Sequence, residues 1–118
     1  MPKKILIVED SPFQAEALRG ALSELDCEVS IAYEGKSALG EALKDINILI
    51  LDTVLPDIGG FELCKRIKAA RPEGLTVVMT TGKIDAVDAI KAKESGADDY
   101  AVKTEDYKHL IDVVKGYL

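Results

Sequence analysis

Two textures of apolar residue alternate along the chain. Ile5-Leu6-Ile7-Val8, Ile46 to Leu51 around Asn47, and Thr76-Val77-Val78-Met79-Thr80 are short aliphatic or β-branched runs that give way at once to polar or small residues. Their length and composition predict strands buried on both faces. Val29-Ser30-Ile31-Ala32 alternates as a shorter strand, and Tyr100-Ala101-Val102 completes a set of about five. Between the runs the spacing turns helical, as in Leu18, Ala21, Leu22 and Leu25, or Phe61, Cys64, Ile67 and Lys68. Those stripes suit helices packed on a sheet. Ser11 before Pro12 supplies an N-cap and a first-turn proline, and Gly96 after Ala92-Lys93-Glu94-Ser95 supplies a helix stop. A last helix, beginning near Glu105, carries Tyr107, Leu110, Ile111, Val114 and Leu118. This is more apolar surface than one packed face requires, so part of it suits a partner or dimer contact, although Val113 and Val114 fit an ordinary core equally well.

A strand-helix alternation of this kind implies an α/β fold: a doubly wound, five-stranded parallel sheet with right-handed crossovers and helices on both faces. Ligands of such sheets lie beyond the carboxyl ends of the strands, near a switch in strand order. The first run ends in Glu9-Asp10, the third in Asp52, the fourth in Thr80-Thr81-Gly82 and the fifth in Lys103. In the order 2-1-3-4-5 these ends are neighbours. Three carboxylates at one rim repel one another unless a cation sits among them, and their oxygen chemistry suits Mg²⁺.

Composition narrows the field. With 118 residues, 47% of them hydrophobic and 31% charged, the chain is one globular domain, 1–118. Its 21 acidic residues outnumber 15 basic ones for a net charge of −6, the opposite of the bias that tracks phosphates, so no direct nucleic-acid binding is expected. Cys27 and Cys64 lack metal-ligand spacing and read as reduced, packed thiols, which points to the cytoplasm. No apolar run approaches membrane-spanning length, and the one that follows the charged start Met1-Pro2-Lys3-Lys4 is too short for a signal peptide, so secretion is not expected.

Taken together, the acidic pair Glu9-Asp10, the run Leu51-Asp52-Thr53-Val54-Leu55-Pro56-Asp57-Ile58-Gly59-Gly60, then Met79-Thr80-Thr81-Gly82, and Tyr100-Ala101-Val102-Lys103 resemble the receiver domain of two-component response regulators. The resemblance runs from Lys3 to Leu118, and its strength lies in the order and spacing of motifs that are weak singly. It implies a flavodoxin-like, chemotaxis-Y-like fold and a regulatory domain that assists its own phosphorylation and dephosphorylation rather than an enzyme. It also implies that Asp52 accepts a phosphoryl group from a phosphohistidine. Asp10, Asp52 and the Val54 carbonyl would ligate Mg²⁺, with Glu9 acting through a water. Thr81 and Lys103 would engage the phosphoryl oxygens, and Tyr100 would swing inward and alter the face made by the fourth helix, fifth strand and fifth helix. Val54 and Lys83 would tune hydrolysis, slowly here because valine cannot hydrogen-bond an attacking water. Gln14 and Ala17 would lie on the rim that docks a histidine kinase or phosphotransfer protein. Downstream, the resemblance implies a protein target, an attached output domain or a homodimer through that altered face, the chain being a stand-alone regulator or a receiver excised from a longer protein.

Each residue also fits a plainer role: Thr81 as a strand end, Tyr100 as a half-buried aromatic, Lys103 as a solvated charge, Gly60 and Pro56 as loop formers, and Gln14 and Ala17 as solvent-exposed positions. Two departures matter. Glu9 stands where the family commonly has Asp, and Thr104 where it commonly has a cis proline. A cis bond to a non-proline costs about 2.5–4 kcal/mol, so Lys103-Thr104 is expected to be trans, with consequences for where the ammonium lies. Gly35-Lys36-Ser37 mimics the end of a P-loop but has Ser30 where the earlier glycine belongs, and reads as a helix start. A flavin-binding role would place a phosphate against Glu9-Asp10, and a haloacid-dehalogenase-type phosphatase would need an acid at Val54. The remaining rival is a degenerate receiver, an interaction module independent of phosphorylation. Intact Asp10, Asp52, Thr81 and Lys103 argue against it, while Glu9 and Thr104 leave it room.

Overall fold

The computed structural model describes residues 2–82, 86–104 and 106–118, with the backbone only at 41 and 42. Strands and helices alternate as β1 (Lys3–Val8), α1 (Pro12–Leu22), β2 (Cys27–Ala32), α2 (Gly35–Ala42), β3 (Ile48–Asp52), α3 (Gly60–Ala70), β4 (Thr76–Thr81), α4 (Ala86–Glu94), β5 (Asp99–Val102) and α5 (Lys108–Lys115). The sheet is parallel throughout, in the predicted order β2-β1-β3-β4-β5. Because side chains alternate across a strand, the three central strands feed two cores. Leu6, Val8, Leu49, Leu51, Val77 and Met79 pack with Ala38 of α2, Leu63, Cys64 and Ile67 of α3, and Ala92 of α4. On the other face Ile5, Ile7, Ile48, Ile50 and Val78 pack with Leu18 and Leu22 of α1 and Leu110 and Val114 of α5. Burial on both sides explains why β1, β3 and β4 read as unbroken apolar runs, whereas the edge strand β2 alternates between half-buried and exposed positions.

Local chemistry sets the element ends. Ser11 caps α1, its Oγ accepting from the Gln14 N–H at 3.3 Å, with Pro12 in the first turn. Gly96 follows α4 at φ +95°, the left-handed conformation that favours glycine, as the predicted helix stop requires. Strand β3 starts at Ile48 rather than Ile46. Asn47 instead splices three strands, its Oδ1 and N–H bonding the Lys4 main chain (2.8 and 2.9 Å) and its carbonyl accepting from Thr76 N–H (2.9 Å). The last helix begins at Lys108, later than the expected start near Glu105, a residue outside those described. Thr104 Oγ1 and Lys108 N–H both bond Asp106 Oδ1 (2.9 and 3.0 Å), a local turn that competes with helix, and Tyr107 follows at φ 55°.

The apolar surplus expected on α5 is mostly spent on the core: Tyr107, Ile111, Val113 and Tyr117 pack against it alongside Leu110 and Val114, leaving Leu118 exposed. The large exposed aliphatics of this side lie instead on α4, where Val87 and Ile90 are each 59% exposed. Among the described residues, no helix is long and apolar enough to cross a membrane.

Candidate functional site

Every strand of a parallel sheet delivers its carboxyl end to the same edge, and the chain leaves β1 for α1 on one face and β3 for α3 on the other. This opens a crevice between the two strands. Glu9 and Asp10 follow β1 directly and Asp52 is the last residue of β3, so oxygen atoms from all three lie within 4.8 Å of one another. Glu9 and Asp52 are 6% and 8% exposed, and Asp10 faces solvent. Lys103, one residue beyond β5, reaches back across β4 to this group. Its Nζ lies 3.0 Å from Glu9 Oε2, 3.3 Å from Asp52 Oδ2 and 3.0 Å from Gln14 Oε1.

Electrostatics follow from this crowding. Burial, reinforced by the Asp52 carboxylate, pushes the Glu9 carboxyl up to about 7 against the opposing pull of Lys103. Burial alone would lower the Lys103 pKa, but the carboxylates of Asp52 and Glu9 outweigh it and hold the ammonium above its ordinary value. The main chain adds orientation: Ser11 N–H donates to Glu9 Oε1 at 3.2 Å and Val54 N–H to Asp52 Oδ1 at 3.4 Å. Gly60 lets α3 start against the end of β3, since a Cβ there would strike the Asp52 carbonyl oxygen and Thr53 Cα.

The other sequence-derived candidates separate. Thr81 ends β4, buried, its carbonyl accepting from Lys103 N–H at 2.7 Å. Tyr100, on β5, is half-buried against the α2-α3-α4 core, and its Oη is buried with no hydrogen-bond partner among the described residues. The Val54 side chain points to solvent, 73% exposed. Gln14 and Ala17 lie exposed on α1 as expected, and Lys83 falls outside the described residues. The Lys103-Thr104 peptide is trans, as are the other described ones. The lysine nevertheless reaches the carboxylates. Gly35-Lys36-Ser37 opens α2, and the main-chain donors a phosphate would use are taken by Asp57, whose carboxylate accepts from Gly35 and Lys36 N–H at 2.9 and 3.0 Å. Those bonds hold the Asp57 carboxyl below its usual range.

The sequence did not disclose the Gln14-Lys103 contact, which joins residues 89 apart in the chain. Nor did it disclose the Asp57 cap, although an acid in the β3-α3 loop and a helix start at Gly35 are both visible in the primary structure. An open cleft of about 430 Å³ beside Lys103 is lined by Phe13, Gln14, Gly82, Thr104 and Tyr107. A larger depression of about 630 Å³, lined by Ser30 to Glu34 and Ser37, contains none of the three carboxylates, so chemistry rather than volume singles out the rim.

The family model for the response regulator receiver domain matches residues 5–115. The response regulator ArlR of Staphylococcus saprophyticus is 34% identical over 116 residues, covering 98% of this chain and 52% of that protein. The DNA-binding response regulator MtrA of Mycolicibacterium smegmatis is 34% identical over 120 residues, covering 100% of this chain and 51% of its own length. The chain thus spans about half the length of these curated relatives. Among solved structures, a putative response regulator from Chloroflexus aurantiacus superposes with a TM-score of 0.90 at 34% identity, covering 99% of this chain and 98% of its own. The BeF3-activated receiver domain of DrrB gives 0.87 at 30% identity, covering 99% and 97%.

Proposed function

The chain belongs to the response regulator receiver domain family, and from that premise we propose that it is a phosphorylation-dependent switch in which Asp52 takes a phosphoryl group from the phosphohistidine of a histidine kinase or phosphotransfer protein. The observation that carries this reading is the meeting of Asp52 with Glu9, Asp10 and the Lys103 ammonium at one rim. A carboxylate is a competent phosphoryl acceptor, and transfer depends mainly on positioning and on positive charge around the phosphoryl oxygens. A carboxylate oxygen of Asp52 forms the new O–P bond while the P–N bond of the donor breaks, its electron pair leaving on the imidazole nitrogen, which takes up a proton. Lys103 donates to the phosphoryl oxygens, and the Thr81 hydroxyl engages them as they arrive.

The donor set suits Mg²⁺: three carboxylates with close oxygens, two of them buried, and no nitrogen or sulfur ligand among them. Asp10, Asp52 and the Val54 carbonyl would hold the ion, with Glu9 acting through a water. When bound it supplies further positive charge against the phosphoryl oxygens.

The output is assigned to Tyr100 and the face made by α4, β5 and α5. Tyr100 couples rim to face because it packs against the core that α4 covers, with its hydroxyl unpartnered among the described residues. There a downstream protein, an attached output domain or a second copy would bind, and the exposed Val87 and Ile90 supply apolar contact. Gln14 and Ala17 form the donor-docking rim, and Val54 and Lys83 tune hydrolysis. Incubation with Mg²⁺ and acetyl phosphate followed by intact mass tests the reading. The parent should gain one phosphoryl group and Asp52→Ala none. Absence of the gain in the parent would instead make the chain a phosphorylation-independent interaction module.

A further inference from the structure

We propose that Gln14 is a positioning residue for phosphoryl transfer, its side-chain oxygen keeping the Lys103 ammonium at the rim when a divalent cation occupies the carboxylates. The inference rests on the reading of Asp52 as phosphoacceptor. An ammonium has three N–H donors, and Lys103 has three acceptors here: Glu9 Oε2, Gln14 Oε1 and Asp52 Oδ2. Two of these belong to the carboxylate group that suits the cation. A cation there repels the ammonium and competes with it for the same oxygens. The Gln14 amide oxygen carries no formal charge and stands outside that group, so it is the acceptor left to the lysine.

Lysine needs such an anchor because its charge rides on a flexible four-carbon stem. The residue after it does not provide one: the Thr104 hydroxyl is engaged by Asp106, which ties the loop toward α5. Gln14 is itself held in place. Its main-chain N–H donates to Ser11 Oγ at the start of α1, and Tyr107 Oη donates to its main-chain carbonyl oxygen at 3.5 Å. One residue thus joins three segments: its main chain bonds the cap of α1 and the tyrosine entering α5, and its side chain bonds the lysine.

The test compares the 118-residue parent with Gln14→Met, which keeps side-chain length and removes the acceptor. With Mg²⁺ and acetyl phosphate, a donor too small to use a docking rim, the maximal rate of phosphoryl uptake should fall about fivefold. In the Mg²⁺-loaded protein, the ¹⁵N–¹H signal of the Lys103 ammonium should broaden through faster exchange with water. An unchanged small-donor rate together with an unchanged Lys103 signal overturns the inference. So does a loss seen only with a kinase as donor, which leaves Gln14 a docking residue. If the parent takes up no phosphate, the reading of Asp52 fails, and the Lys103 signal alone then decides whether Gln14 holds the ammonium.

Discussion

Glu9 shows how a single side chain can link the site to solution conditions. Its carboxyl is raised to about 7 by burial and by Asp52, against an ordinary value of 4.5, so between these limits the folded protein binds a proton that the unfolded chain has released. The stabilising contribution of the protonated group is complete below about 4.5 and is lost as pH rises through about 7. In metal-free buffer this term lowers the melting temperature between pH 5 and pH 8, and Glu9→Gln should flatten the difference, as calorimetry would show. Mg²⁺ affinity should run the other way and weaken as pH falls through about 7. Val54 supports a separate expectation. Its exposed aliphatic side chain offers no hydrogen bond to an attacking water, so the aspartyl phosphate should be long-lived, and Val54→Asn should shorten its lifetime. Decay followed after donor removal checks this, and an unchanged or longer lifetime in Val54→Asn would count against it.

The elements matter through their ends. Strand β3 delivers Asp52 because α3 can start almost against its last residue, and only the missing side chain of Gly60 allows that approach. Both groups a Cβ would meet are main chain and cannot rotate aside, so Gly60→Ala should destabilise the fold by about 1–3 kcal/mol in urea unfolding and slow phosphoryl uptake by displacing Asp52. The stretch between β5 and α5 carries a comparable burden. A threonine-aspartate turn occupies residues where helix was expected, yet Lys103 N–H remains bonded to the Thr81 carbonyl and its ammonium remains at the rim. The place of the lysine is therefore set by β4 and by its side-chain acceptors.

At the scale of the whole molecule, two cores clamp one parallel sheet while the charge that folding concentrates lies at a single edge. A cation binding only the folded form stabilises it by mass action. Added Mg²⁺ should thus raise the melting temperature in a concentration-dependent way, and Asp10→Asn or Asp52→Asn should abolish most of the rise. The alternation of buried strands and helices on both faces and the meeting of Glu9, Asp10, Asp52 and Lys103 at one edge were legible in the primary structure, and strand order came with the family resemblance. Periodicity records which faces are buried, and a parallel sheet sends every strand end the same way. Three features were not legible: the grip of Gln14 on Lys103, the Asp57 cap on α2, and the shift of exposed apolar surface from α5 to α4. Each depends on distances between segments remote in the chain or on how much of a helix its neighbours cover. Hydrophobic patterning is a one-dimensional property that the sequence determined by itself, whereas the partners of a polar side chain are chosen only once packing has fixed where every other donor and acceptor lies.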